Sequence, residues 1–330
     1  MPNGEPLSGT VVVTYPGFDP HDPEVANILL DKGLEIRMEP KLTERGPDDV
    51  VEILGDAVAV IADADPFVES VFSRAPRLKV VARAGVGFDS VDLEAATRAG
   101  VMVTTTPGAN HETVADHTMG MILGLTRNLC RHDASTRQGE WARGGDIGGT
   151  LFRSTVGLVG YGSIGRAVGR RLRGFGCRVL VHDPVRAEAD EFELVSLDRL
   201  LRESDVVSLH LPLNEATRHI LSGPELESMK SNAIVVNTSR GGLIDEAALA
   251  EALESGQIAG AALDVFEIEP LVPSPLTESE KVMLSPHIGG VGELANRSMC
   301  SKAAACVVGA LSGEDRRFVI NPDVLKTVEV

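Results

Sequence analysis

The chain has 330 residues, 43% hydrophobic and 24% charged, with 31 basic against 48 acidic residues and a formal net charge of −17. That length suits two domains of ~100–200 residues, each with a core of its own. The acid surplus repels phosphate backbones and anionic lipid, which argues against nucleic acid and membrane as partners.

The first nine residues, Met1–Gly9, have no basic segment followed by an apolar one, so no signal peptide is expected. Beyond them, Val11–Tyr15, Ala57–Ile61, Leu78–Ala82 and Val101–Thr104 read as buried strands, with helices over Pro23–Lys32, Asp48–Leu54 and Ser90–Ala99. Apolar strands alternating with helices predict a parallel sheet covered on both faces. His111–Arg127, rich in Leu, Met, Ala and Gly and free of breakers, predicts a long connecting helix. A second α/β unit follows, with strands over Thr155–Val159, Arg178–His182, Val206–Leu209, Ala233–Asn237, Gly260–Asp264 and Val282–Leu284. The acid-rich Asp183–Asp205 suits a solvated helix face. Gly292–Gly309 again reads helical and leads into Phe318–Leu325. Abundant glycine (34 residues) beside one Trp, two Tyr and nine Phe suits tight βα turns and aliphatic strands. Cys130, Cys177, Cys300 and Cys306 form no C-x-x-C pair and have no His at zinc-ligand spacing, so reduced thiols and no metal are expected. No run of 18 apolar residues occurs, and a cytoplasmic protein without a membrane span is expected.

The sharpest local signal is Gly160-Tyr161-Gly162-Ser163-Ile164-Gly165, placed between the strand Thr155–Val159 and a helical run from Arg166 to Arg173. That order is what a dinucleotide needs. The first glycine allows the turn, the second lets main chain approach a pyrophosphate, and the third lets helix and strand pack closely. The pyrophosphate then sits at the positive helix end. Asp183 ends the next strand, where a carboxylate accepts from the ribose hydroxyls and favours NAD over NADP, while nearby Arg186 weakens that preference. Arg240, Glu269 and His287 each follow a later strand, at the edge where open α/β sheets bind ligands. Reducing a ketone with hydride needs a proton donor near neutral pH, and His suits that task. A carboxylate beside the His fixes its tautomer and raises its pKa, and a guanidinium orients a carboxylate or polarises a carbonyl. Each residue alone could be structural: a helix cap, a solvated loop acid, a turn histidine. Together, downstream of a dinucleotide turn, they form a candidate catalytic set.

These motifs resemble those of the D-2-hydroxyacid dehydrogenases, the family of D-lactate, 3-phosphoglycerate and glyoxylate/hydroxypyruvate enzymes. The likeness spans Val11 to Leu325 and rests on Val159–Gly165, Asn237-Thr238-Ser239-Arg240-Gly241, Ala262–Glu267 with Glu269-Pro270-Leu271, Pro286-His287-Ile288-Gly289-Gly290 and Asn321-Pro322. It implies two Rossmann/flavodoxin-like parallel-sheet domains of the α/β class, with the active site in the cleft between them. A discontinuous substrate-binding domain would take residues 1–105 and 290–330, and an NAD-binding Rossmann domain 106–289. It implies Arg240, Glu269 and His287 as the catalytic set. For NAD it implies Gly160, Gly162, Ser163, Ile164, Gly165 and Asp183, joined by Leu211, Pro212, Thr217, Thr238, Ser239, Asp264, Gly290 and Thr118. For the substrate it implies Arg83, Gly85, Val86, Gly87 and Asn110, the glycine-loop N–H groups holding the carboxylate. A homodimer through the NAD domain is expected.

Departures from the family pattern bear on the substrate. Phosphoglycerate enzymes usually carry an Arg-Ser pair where this chain has Ala62-Asp63-Ala64-Asp65, and two acids there count against a phosphate tail, although Arg83 matches a cation such enzymes use. Val86 replaces the Lys of phosphite dehydrogenases, and Glu269 the Gln of formate dehydrogenases. Asp116 stands where a Glu is usual, a change that carries no interpretation. The expected function is interconversion of a small D-2-hydroxy acid and its 2-keto acid, glyoxylate and hydroxypyruvate being the default. 3-Phosphoglycerate is the alternative substrate. An NAD(H)-sensing interaction protein, like the corepressors of this fold, is the alternative of another class.

Overall fold

A computed structural model describes residues 6–141, 143, 147–186, 188–189 and 191–326; the first five residues of the Met1–Gly9 segment lie outside them. The chain begins with β1 (Gly9–Val13), α1 (Pro23–Leu30), β2 (Leu34–Met38), α2 (Pro47–Leu54), β3 (Ala59–Ala62), α3 (Glu69–Phe72), β4 (Val80–Arg83), α4 (Leu93–Arg98) and β5 (Met102–Thr104). It continues through α5 (His111–Thr126), α6 (Leu129–Arg137), β6 (Thr155–Val159), α7 (Ser163–Leu172), β7 (Arg178–His182) and β8 (Glu193–Leu194). There follow α8 (Leu197–Glu203), β9 (Val206–Leu209), α9 (Gly223–Glu227), β10 (Ile234–Asn237), α10 (Glu246–Ser255), β11 (Gly260–Leu263), α11 (Pro275–Glu278), β12 (Val282–Leu284) and α12 (Glu293–Ser312).

Two compact units result, one from Met1–Asn110 with Val291–Val330 and one from His111–Gly290. The first holds a five-stranded parallel sheet in the order β2-β1-β3-β4-β5, the second a seven-stranded parallel sheet in the order β12-β11-β10-β9-β6-β7-β8. This is the α/β architecture with two parallel sheets. The segment after β5 stays with the first unit, because Thr106 N–H donates to Gly85 O and Lys302 Nζ to Pro107 O.

In the second sheet the chain runs from β6 outward through β7 to β8, then returns to build β9 to β12 on the other side. That reversal beside β6 opens a crevice at the strands' C-terminal ends. Both faces of β6 are buried: Leu158 packs with Ala115 of α5 and Val168 of α7, Val159 with Leu200 and Leu209 on the other side. Burial on both faces is why these strands read as unbroken apolar runs.

The sequence reading did not mark the short helices α3, α9 and α11, nor α10, and it also passed over β2, β8 and α6. β2 buries only Leu34, and Glu35 and Arg37 interrupt its apolar run; β8 is wholly exposed. α6 buries none of its residues and starts at Asn128, whose φ of 52° ends α5.

Candidate active site

β6 passes into α7 through Gly160, whose φ is 99°. A Cβ there would stand 2.6 Å from the His210 main chain, and one on Gly165 would stand 2.3 Å from Gly160 O. Neither site admits a side chain, because backbone lies on the other side. A Cβ on Gly162 would meet nothing within 4 Å, so open space faces the N-terminus of α7. A cavity of about 710 Å³ opens there, lined by Gly160, Gly162, Asp183, Arg186, Leu211 and Thr217 among others. Free N–H groups, a glycine without a side chain and room above them fit the pyrophosphate of a dinucleotide.

Asp183 follows β7 on the same rim. Its Oδ2 accepts from Tyr161 N–H at 2.8 Å and its Oδ1 from Val185 N–H at 2.9 Å and Arg186 N–H at 3.1 Å, with Arg186 Nε 4.0 Å from Oδ2. Burial pushes this carboxyl up, but the three N–H donors and the Arg186 guanidinium outweigh it and hold it below the usual carboxylate range. A fixed anion therefore stands where ribose hydroxyls would arrive.

Thr217 Oγ1 donates to Pro212 O at 2.7 Å and so closes the loop after β9. Ser239 Oγ donates to Leu209 O at 2.9 Å. Thr118 of α5 and Thr238 after β10 share a buried hydrogen bond of 2.9 Å. Beside Leu211 lies His210, which the sequence reading passed over. It is buried, hydrogen-bonded to Ser208 Oγ at 3.0 Å, and burial pulls its imidazole down to about 4, so it stays neutral. Its place directly after a buried strand, before Leu-Pro, is the signal that marks it.

Arg240, Glu269 and His287 all follow strands of the second sheet, β10, β11 and β12 respectively. His287 Nδ1 lies 2.7 Å from Glu269 Oε2, and Glu269 Oε1 accepts from Phe266 N–H at 2.9 Å. The Glu269 hydrogen bond raises the His287 pKa above its ordinary 6.5, against burial and the nearby Arg240 charge. Burial pushes the Glu269 carboxyl up, yet the His287 hydrogen bond and charge, with Arg240, hold it below its ordinary range. The two shifts agree in favouring imidazolium beside carboxylate. Arg240 donates through Nη1 to Ser239 O at 2.6 Å, and its own carbonyl accepts from Asn237 Nδ2 at 2.8 Å.

His287 occupies a left-handed conformation, φ 53°, in a loop that Asp264 staples. Asp264 is 1% exposed; its Oδ1 accepts from Ser285 Oγ at 2.5 Å and Ile288 N–H at 2.9 Å, its Oδ2 from Gly289 N–H at 2.7 Å. His117 Nε2 sits 3.4 Å from Oδ1 and 3.0 Å from Ser285 Oγ. Burial pushes the Asp264 carboxyl up, and His117, Ser285 and the two N–H groups together pull it below its ordinary value. The sequence marked Asp264 as a cofactor contact; its visible work is to hold the His287 loop. Gly290 closes that loop as the last residue of its unit.

In the first unit, Arg83 ends β4 and is 8% exposed, with Nε donating to Gly87 O at 3.0 Å and Nη1 to Ala62 O at 3.1 Å. These bonds shape the loop carrying Gly85, Val86 and Gly87, where Val86 is 39% exposed. Asn110 is half-buried at the unit's edge. One argument from sequence needs correcting. Asp65 was expected to repel a phosphate tail, yet it is fully buried, accepts from Thr14 Oγ1 and lies 3.5 Å from Arg45 Nη1. It is paired inside the unit, so the argument against a phosphate tail can rest on Asp63 alone, which is half-buried. Among the described residues no group of three or more His, Cys, Asp or Glu could hold a metal ion, and no helix is long and apolar enough to cross a membrane.

Comparison with known proteins places the chain in one family. A family model described as "D-isomer specific 2-hydroxyacid dehydrogenase, NAD binding domain" matches residues 119–289. The chain is 40% identical over 287 residues to a glyoxylate reductase of Korarchaeum cryptofilum, covering 84% of this chain and 86% of that one. It is 38% identical over 284 residues to a hydroxypyruvate reductase of Thermotoga maritima, covering 84% and 92%. Among solved structures, the TT0316 protein from Thermus thermophilus superposes with a TM-score of 0.87 at 36% identity, covering 94% of this chain and 99% of that one.

Proposed function

The chain belongs to the D-isomer-specific 2-hydroxyacid dehydrogenases and is an enzyme that uses a nicotinamide dinucleotide, and on that premise we propose that it interconverts a short D-2-hydroxy acid and its 2-keto acid with NAD. The observation that carries this reading is the 2.7 Å His287–Glu269 pair beside Arg240, beyond the strands of the sheet that bears the dinucleotide turn. The bound cofactor supplies the hydride in reduction and accepts it in oxidation. Gly160, Gly162, Ser163, Ile164 and Gly165 would hold its pyrophosphate, Asp183 its ribose, and Leu211, Pro212, Thr217, Thr238, Ser239, Asp264, Gly290 and Thr118 would line the remainder.

With Nδ1 held by Glu269, His287 presents Nε2 for proton transfer. In reduction it gives a proton to the oxygen on the substrate's C2; in oxidation it takes that proton back. Glu269 keeps the ring in one tautomer and stabilises the imidazolium. In the unit that carries the dinucleotide turn, Arg240 meets the substrate carboxylate or carbonyl; in the other unit, Arg83, Asn110 and the N–H groups of Gly85, Val86 and Gly87 are the proposed substrate contacts. Because two Arg83 donors bind main-chain carbonyls, its first task is shaping that loop, which favours glyoxylate or hydroxypyruvate over 3-phosphoglycerate.

The unit bearing the dinucleotide turn exposes Leu129, Trp141, Ile147 and Phe152, which supports a homodimer through it. Four free cysteines suit the cytoplasm. The test is loss of NADH absorbance with glyoxylate, hydroxypyruvate, pyruvate, longer 2-keto acids and 3-phosphohydroxypyruvate, repeated with NADPH. Turnover of glyoxylate and hydroxypyruvate with NADH is expected. A preference for the phosphorylated acid would transfer the assignment to phosphoglycerate, and silence with NADH still bound would favour an NAD(H)-sensing interaction protein.

A further inference from the structure

Glu269 meets His287 from a loop between β11 and α11 that has no regular structure of its own, so something else must fix its aim. The loop is gripped two residues before Glu269. Glu267 N–H donates to Glu246 Oε1, in the first turn of α10, at 2.7 Å. The Glu267 side chain is held as well, its Oε1 lying 2.5 Å from His219 Nε2 and 3.8 Å from Arg218 Nη2. His219 is itself set in a left-handed conformation, φ 51°, with its N–H on Gly242 O at 2.8 Å. From the other side, Gly241 lets the chain after β10 run directly against the loop, since a Cβ there would stand 1.8 Å from the Phe266 carbonyl carbon. Phe266 N–H then holds Glu269 Oε1, leaving Oε2 for His287.

We propose that Glu246 is a positioning residue for the dehydrogenase reaction, its carboxyl oxygen fixing the Glu267 main chain and thereby aiming Glu269 at His287. The inference rests on the roles given above to Glu269 and His287. The titratable and charged groups facing the relay are these. Glu267 and Glu269 face Glu246; His219 and Arg218 face Glu267; Glu269, Arg240 and Asp264 face His287. Burial pushes the Glu246 carboxyl up, the Glu267 N–H pulls against it, and the Glu267 and Glu269 carboxylates push it further, so it stands above its ordinary range. A carboxyl oxygen accepts from an N–H whether or not the group is ionised. What the relay needs at this position is therefore an oxygen acceptor of the right length, and glutamine supplies one.

The experiment compares Glu246→Ala and Glu246→Gln in the full chain, reading kcat, KM for NADH and keto acid, thermal stability, and the His287 pKa by histidine-ring NMR titration. Glu246→Ala is expected to lower kcat on the order of tenfold to a hundredfold, as misplacement of a group near the chemistry does, with KM for NADH changed by less than about twofold. The His287 pKa should fall toward its ordinary value as Glu269 loses its aim, and Glu246→Gln should restore both readings. A wild-type kcat and His287 pKa in Glu246→Ala would overturn the proposal, as would a Glu246→Gln as impaired as the alanine variant. Should Glu246→Ala not fold, Glu246→Asp withdraws the acceptor by one methylene while keeping the charge, with the same expectations. If the parent enzyme turns over no keto acid, the reading of the reaction fails separately, and the His287 titration alone still decides the positioning role.

Discussion

At the scale of single residues, the proposed reaction rests on one imidazole, that of His287, whose two nitrogens are assigned different tasks. His287→Ala should lower kcat by about 10²–10⁴-fold, the usual contribution of a general acid or base, and leave NADH affinity unchanged. Its pKa lies above 6.5 because of Glu269. Reduction consumes the imidazolium, so its rate should hold constant below the His287 pKa and fall as pH rises through it; oxidation should show the mirror image. Glu269→Gln keeps a hydrogen-bonding partner but removes the charge. The alkaline limb of reduction should then move to lower pH, toward the ordinary histidine value, and an unmoved limb in the pH–rate profile would refute the pairing. Arg240, Glu269 and His287 were legible because each falls in a short motif after a strand. Glu246 was not: an acid in the first turn of a helix suits the helix dipole anyway, so its residue type carries no signal of a tertiary partner.

At the scale of elements, the dinucleotide turn is the clearest case of local sequence dictating local structure. Strand, three glycines and helix are contiguous, and every close approach they permit involves main chain within a few residues or on the adjoining strand. Gly165→Ala would put a Cβ 2.3 Å from Gly160 O. The turn must open to accept it, at about 1–3 kcal/mol for overpacking, and dinucleotide affinity should fall on the order of tenfold to a hundredfold. Fluorescence titration with NADH checks this, and an unchanged Kd would show that the turn tolerates the methyl. β2 escaped notice for the opposite reason. Its Leu34-Glu35-Ile36-Arg37-Met38 alternates apolar and charged residues, as a half-buried edge strand does, and so lacks the unbroken apolar run that marks strands buried on both faces.

At the scale of the whole molecule, each unit is built around its own sheet, and the first is assembled from both ends of the chain. Asn321, 5% exposed, ties the ends together. Its Oδ1 accepts from Val103 N–H at 2.9 Å, and its Nδ2 donates to Val101 O at 2.9 Å and Thr97 Oγ1 at 3.1 Å. Asn321→Ala strands these buried partners, at about 1–3 kcal/mol for each one left unsatisfied. Calorimetry should show a lowered melting transition for the first unit, while NADH binding by the second persists. Loss of NADH binding in parallel would mean that the two units unfold as one.

The sequence by itself determined the alternation of strands and helices, the class of fold, the dinucleotide turn and the three polar residues that follow strands β10, β11 and β12. All of these follow from periodicity and from motifs a few residues long, where steric and hydrogen-bonding demands are local. Only the tertiary structure decided which groups serve which. It set Asp264 to stapling the His287 loop, turned two Arg83 donors onto main chain, buried Asp65 beside Arg45, and brought Glu246 and His219 to the loop of Glu269. Those pairings join residues that the sheet order brings together from distant parts of the chain, and a hydrogen bond formed that way leaves no trace in spacing or composition.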